Sequence, residues 1–146
     1  KGKGNTSGVD ASNEDMVDEN NIDEVISLAK AFSKFTGAVI AITGKIDIVA
    51  DKNNAFCIYN GNKMMSSVTG TGCQLSAMTA AFVAANQQNP LKATAAAVCT
   101  MGLCGEKAYM RMQQDDGNIT YRNYIIDAVY NMTSKELKSG AKYEMR

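Results

Sequence analysis

The stretch that most limits this chain is SSVTGTGCQLSAMTAAF, residues 66–82. A polar segment gives way there, through Gly70-Thr71-Gly72, to a run of apolar and small residues. Two glycines permit an abrupt change of backbone direction. Beyond them Leu75, Met78, Phe82 and Ala85 recur on one face of a helix over about 73–87. Ser76, Ala77, Ala80, Ala81 and Ala84 keep that helix slim enough to lie close on a sheet. Strand end, tight turn and close-packed helix form a unit of α/β architecture. The thiol of Cys73, at the mouth of the helix, needs a further reason.

The remaining elements follow from periodicity. Ile22, Val25, Ile26, Ala29 and Phe32 mark a helix starting near Asn20 or Asn21. Asp23 and Glu24 stand in its first turn, Lys30 and Lys34 near its end, and Gly37 as its stop. AVIAIT (38–43) is a continuous apolar run, suited to a strand buried on both faces and ending at Thr43-Gly44. DIVAD (47–51), AFCIYNG (55–61) and MMSSV (64–68) are shorter and separated by turn residues, as in an antiparallel meander. A helix opens at Pro90 and runs to Tyr109 or beyond. Another begins near Thr120, with Tyr124, Ile125, Ala128, Val129 and Met132 in one stripe. Thr133 and Glu136 have capping-box spacing for a short last turn. KGKGNTSG reads as an opening loop, and the seven acids between Asp10 and Glu24 as a solvated surface or helix entry. The expectation is one α/β domain fragment over 1–146: sheet strands, a small antiparallel meander and three covering helices. Further strands would lie upstream, and a start at Lys1 rather than Met suits a piece of a longer protein.

Composition narrows the chemistry. The 146 residues carry no net charge and 7% aromatics, which argues against a nucleic-acid or membrane-surface protein. No apolar run approaches membrane-spanning length. The absence of histidine removes Ser-His and Cys-His catalysis and the usual zinc sites from what this chain does alone. Cys57, Cys73, Cys99 and Cys104 lack disulfide-framework spacing, so reduced, cytoplasmic thiols are expected. Cys99 and Cys104 read as packing, Gly102 and Gly105 as points of close helix contact, and the nine methionines as core filler.

A helix N-terminus presents unpaired N–H groups and partial positive charge, and glycines let an anion approach the backbone. The same field favours the thiolate of a cysteine placed there. Gly70, Thr71, Gly72 and Cys73 could thus form an anion hole with a proton acceptor beside it, the two needs of phosphoryl transfer. Other motifs fail on spacing. Leu75 stands where a dinucleotide fingerprint needs its third glycine, no Gly-Lys-Ser/Thr is present, and Thr79 replaces a phosphatase arginine. The plainer alternative stays open: a tight turn followed by a cysteine acting as a small hydrophobe. Thr43 is either a turn residue or a nucleotide contact beyond a strand's carboxyl end.

VTGTGCQLSAMTAAFVA, with GVDAS (8–12), AVIAITGKIDIVAD (38–51) and ITYRNYIIDAVYNMT (119–133), resembles the hydroxyethylthiazole kinase family of the ribokinase-like superfamily. The resemblance covers nearly the whole chain. Most ribokinase-like enzymes carry Gly-Ala-Gly-Asp at this turn, and a cysteine there is distinctive of the thiazole kinases. It implies a three-layer α/β/α fold and ATP-dependent phosphorylation of the primary alcohol of 5-(2-hydroxyethyl)-4-methylthiazole in thiamine salvage, with Mg2+. It implies Cys73 as catalytic base, residues 70–73 as anion hole, Gly70 as thiazole contact and Thr43 as ATP contact. It also implies a homotrimer with shared active sites. The family's N-terminal half, carrying an ATP-binding arginine and the acidic residues associated with magnesium, is absent from these residues. The isolated chain is therefore expected to be inactive, with no metal ligand of its own. The alternatives are a hydroxymethylpyrimidine or pyridoxal kinase of the same superfamily, a redox-active thiol protein, or a non-catalytic trimeric scaffold.

Overall fold

The computed structural model describes residue 17 and residues 19–146. The opening loop, the GVDAS stretch and most of the acidic run lie outside the described residues. In chain order the elements are α1 (Ile22–Thr36), β1 (Ile40–Ile42), β2 (Asp47–Ala50), β3 (Ala55–Ile58), a 3-10 helix (Lys63–Ser67), α2 (Thr71–Ala85), α3 (Pro90–Arg111), α4 (Asn118–Asn131), α5 (Ser134–Gly140) and β4 (Tyr143–Met145).

The strands form one antiparallel sheet in the order β1-β2-β3-β4. Successive side chains of a strand point to opposite faces, and here both faces are covered. Ile48, Ala50, Ala55 and Cys57 pack with Ile22, Ile26 and Ala29 of α1. Val49, Phe56 and Ile58 pack on the other face with Ala95, Val98 and Cys99 of α3. The layers are therefore helix, sheet, helix. Ile48 and Ile58 are fully buried, each contributing about 1.5–3 kcal/mol of apolar burial. A third cluster lies among the helices, where Met101, Cys104, Tyr121, Ile125 and Ala128 pack with Met64, Met65, Met78, Met112 and Met132. Six of the nine methionines thus fill core, as expected.

Helix α1 stops at Gly37, Pro90 opens α3, and the Thr133–Glu136 capping box forms at α5. Three details differ from the sequence reading. Ile40 and Ile42 of β1 are half-buried and Ala41 is exposed, because β1 has a neighbour on one side only among the described residues. Residues 64–67 of MMSSV are 3-10 helical rather than extended, and Val68 is the extended cap of that turn. The Asn62 side chain accepts the Met64 N–H (2.9 Å), and adjacent Met64 and Met65 both face the helical cluster, which a strand would not permit. The small residues of α2 are exposed rather than laid on the sheet, whose face α3 occupies. Strand β4 carries too short an alternation to be read from sequence. It is fixed by reciprocal Ala55–Arg146 backbone bonds of 2.8 Å and an edge-on contact of Tyr143 with Phe56.

The long connection from β3 to α2 is pinned to α3. Asn60, buried, donates to Glu106 Oε1 (3.0 Å) and to the Gly140 carbonyl (2.9 Å), and accepts the Lys142 N–H (2.7 Å). A Cβ at Gly102 would lie 2.6 Å from the Asn60 carbonyl oxygen, so only glycine permits this approach. Gly105 lies against Met65. The close contacts expected of both glycines exist: Gly102 meets the backbone of this connection, and Gly105 meets Met65 of the 3-10 helix and Tyr121 of α4.

Candidate active site

Helix α2 begins two residues earlier than its periodicity suggests. Gly70 turns the chain at φ +95°, a conformation L side chains rarely adopt, and Thr71 and Gly72 already lie within the helix. Cys73 is consequently its third residue, exposed and in no disulfide. The first backbone bond is from the Gln74 N–H to the Gly70 carbonyl (3.0 Å), and no side chain caps the end. The amides before Gln74 therefore point out of the helix. A Cβ built at Gly70 or Gly72 meets nothing within 4 Å, so open space stands over both. The Thr71 hydroxyl is turned back to the Val68 carbonyl (3.4 Å).

Thr43 directly follows β1 and is exposed. Strands β1 and β3 both run antiparallel to β2, with Ile42 opposite Ile48 and Ile58 opposite Asp47. Their carboxyl ends thus share one end of the sheet. Thr43 leaves from that end, and so does the segment leading to Gly70. In open α/β sheets this is where ligands gather. Asp47 stands beside it, accepting the Gly44 N–H (2.9 Å). Burial pushes its carboxyl up to about 6, with the Gly44 bond opposing. The other three cysteines are buried, and burial raises each thiol above its usual range.

Among the described residues no group of three or more His, Cys, Asp or Glu side chains could hold a metal ion. No helix there is long and apolar enough to cross a membrane. The helix mouth fits an anion: it offers outward amides, two open glycines and the partial positive charge of a 15-residue helix. Sequence reasoning passed over one neighbour of the mouth, a cleft of about 210 Å3 whose walls include Thr69 and Arg122. Its walls lie about fifty residues apart in sequence, a separation no motif spans.

This layering, with an open helix mouth beyond the carboxyl ends of the strands, is the ribokinase-like fold. A hydroxyethylthiazole kinase structure from Pyrococcus horikoshii superposes with a TM-score of 0.78 at 32% identity, over 88% of this chain and 48% of that one. Residues 1–135 match the hydroxyethylthiazole kinase family as a whole, and the chain belongs to that family. The hydroxyethylthiazole kinase of Clostridium acetobutylicum is 57% identical over 143 residues, 98% of this chain and 52% of its own. Hydroxyethylthiazole kinase 2 of Methanosphaera stadtmanae is 35% identical over 140 residues, 94% of this chain and 49% of its own. The chain thus spans about half the length of the relatives it matches.

Proposed function

We propose that these residues form the C-terminal half of a kinase that transfers the γ-phosphoryl group of ATP to the primary alcohol of hydroxyethylthiazole, in thiamine salvage. The observation that carries the reading is the uncapped, glycine-lined mouth of α2 with Cys73 in its first turn. Membership of a family named for this activity supports the choice of alcohol.

In this reading the amides of residues 70–73 hold the charge on the moving phosphoryl group. The alcohol oxygen forms a bond to phosphorus, the bond to ADP breaks, and the alcohol's proton passes to the sulfur of Cys73. Gly70 leaves room for the thiazole ring, and Thr43 contacts ATP from the other strand end. Magnesium neutralises phosphate charge when bound. The family resemblance assigns its ligands to the other half of the protein. The working protein is a cytoplasmic homotrimer with active sites shared between subunits, acting on small molecules rather than nucleic acid or membrane.

The test is ADP release by the full-length protein with ATP, magnesium and hydroxyethylthiazole, with hydroxymethylpyrimidine and pyridoxal as rival alcohols. Turnover selective for the thiazole is expected. Preference for a rival alcohol moves the assignment within the superfamily. Peroxide-dependent oxidation of Cys73 without any ATP turnover replaces it with thiol chemistry.

A further inference from the structure

We propose that Arg122 is a phosphate-binding residue of this kinase, reaching its ligand through the cleft beside Thr69; the proposal rests on the kinase reading above. The cleft is lined by Ser67, Val68 and Thr69 on one side and by Asn118, Ile119 and Arg122 of α4 on the other. Thr69 directly precedes Gly70, so the cleft opens next to the mouth of α2. The Asn118 side chain donates to the Ser67 carbonyl (2.8 Å), holding the first turn of α4 against this segment. Arg122 lies four residues on from Asn118, one turn along the same helix face.

Two positive features stand at the cleft, and a third, the mouth of α2, follows Thr69 in the chain. Helix α4 has no side-chain cap, its N-cap being Gly117, so its first amides and partial charge face outward beside the cleft. Helix α2 is likewise uncapped. Arg122 adds a full charge, and among the described residues no carboxylate lines the cleft. The nearby Asp116 carboxylate is turned to the Gln113 N–H (2.8 Å). The other two arginines are engaged: Arg111 with Asp127 and the face of Tyr124, Arg146 with Asp23 and Glu144. Arg122 has no ion pair or hydrogen bond with any described residue. Arg122 is exposed, and a planar guanidinium with no partner among the described residues suits a phosphate oxygen pair. That phosphate belongs either to the nucleotide or to the phosphorylated thiazole.

The test uses calorimetric titration of the full-length protein and its Arg122→Gln and Arg122→Lys variants. The probes are a non-hydrolysable ATP analogue, hydroxyethylthiazole phosphate and the unphosphorylated thiazole. Arg122→Gln is expected to weaken a phosphorylated probe roughly tenfold or more, with Lys recovering part of the loss. The melting temperature and the affinity for unphosphorylated thiazole should not move. A loss confined to the nucleotide analogue assigns the donor phosphates, and one confined to thiazole phosphate assigns the transferred group. Both phosphorylated probes binding Arg122→Gln as tightly as wild type overturns the proposal, as does an equal loss of the unphosphorylated thiazole. If wild type turns over the thiazole while the Gln variant keeps its kcat and KM, this assignment alone fails. If wild type phosphorylates no alcohol, the kinase reading fails and takes this one with it.

Discussion

At the scale of single residues, Cys73 and Asp47 make separable predictions. Cys73 occupies the third position of α2, exposed, with the outward amides of the helix mouth around it. In a loose transition state the alcohol's proton leaves late, so placing an acceptor matters more than its basicity. Cys73→Asp should therefore keep kcat within about tenfold, while Cys73→Ala should lose about 100-fold or more. Steady-state kinetics on the full-length variants check this, and equal rates for Ala and wild type would exclude a catalytic thiol. Asp47 concerns stability instead. Its carboxyl titrates near 6 when folded against an ordinary value of 3.8. Between those values the folded form holds more protons than the unfolded one, so this position gains stability as pH falls from 7 towards 4. It loses that stability as pH rises through 6. Asp47→Asn retains an acceptor for the Gly44 N–H and removes the charge. It should stabilise the protein at pH 8 by on the order of 2 kcal/mol and leave it unchanged near pH 4, as denaturant titrations at both pH values will measure.

At the scale of elements, α3 organises the fold. It is 22 residues long, covers one face of the sheet with its first half and packs against α4 with its second. Tyr121 of α4, fully buried, donates to the Gly105 carbonyl of α3 (2.9 Å) and ties the two helices together. The β3-to-α2 connection crosses α3 at Gly102 with backbone against backbone. Gly102→Ala should therefore cost about 1–3 kcal/mol by overpacking, read from the denaturation midpoint. The same change displaces the segment that delivers Gly70, so kinase activity should fall with it. A variant as stable and active as the parent would show that this crossing can relax.

At the scale of the molecule, the described residues leave apolar surface that their own packing does not cover. Ala77, Ala80, Ala81 and Ala84 of α2 are exposed, and β1 has a neighbour on one side only among these residues. The chain spans about half of its relatives' length, and we propose that the rest of the full-length kinase covers both. Amide hydrogen exchange should therefore be slower at α2 and β1 in the full-length protein than in the isolated 146-residue chain. Helix α3, buried within the described fold, should change least. Equal protection of α2 in both would mean that its exposed face stays bare.

Sequence alone determined what depends on neighbours along the chain. The periodic stripes of α1 and α4, the Pro90 start of α3, the stop at Gly37, the capping box at Thr133 and the Gly-Thr-Gly-Cys turn are local patterns with local causes. The turn together with the stretches 8–12, 38–51 and 119–133 carried the resemblance to the family, the cysteine after the glycines being its specific part. Tertiary structure decided what depends on distant residues. Two adjacent methionines became a helical turn because both could then reach the same core, and α2 lost the sheet face to α3. Three residues at the end of the chain became a strand because β3 offered an unpaired edge. Only the fold brings Arg122 to Thr69 and sets Thr43 at the same sheet end as the segment entering α2, since contacts between remote segments leave no periodic trace in the chain.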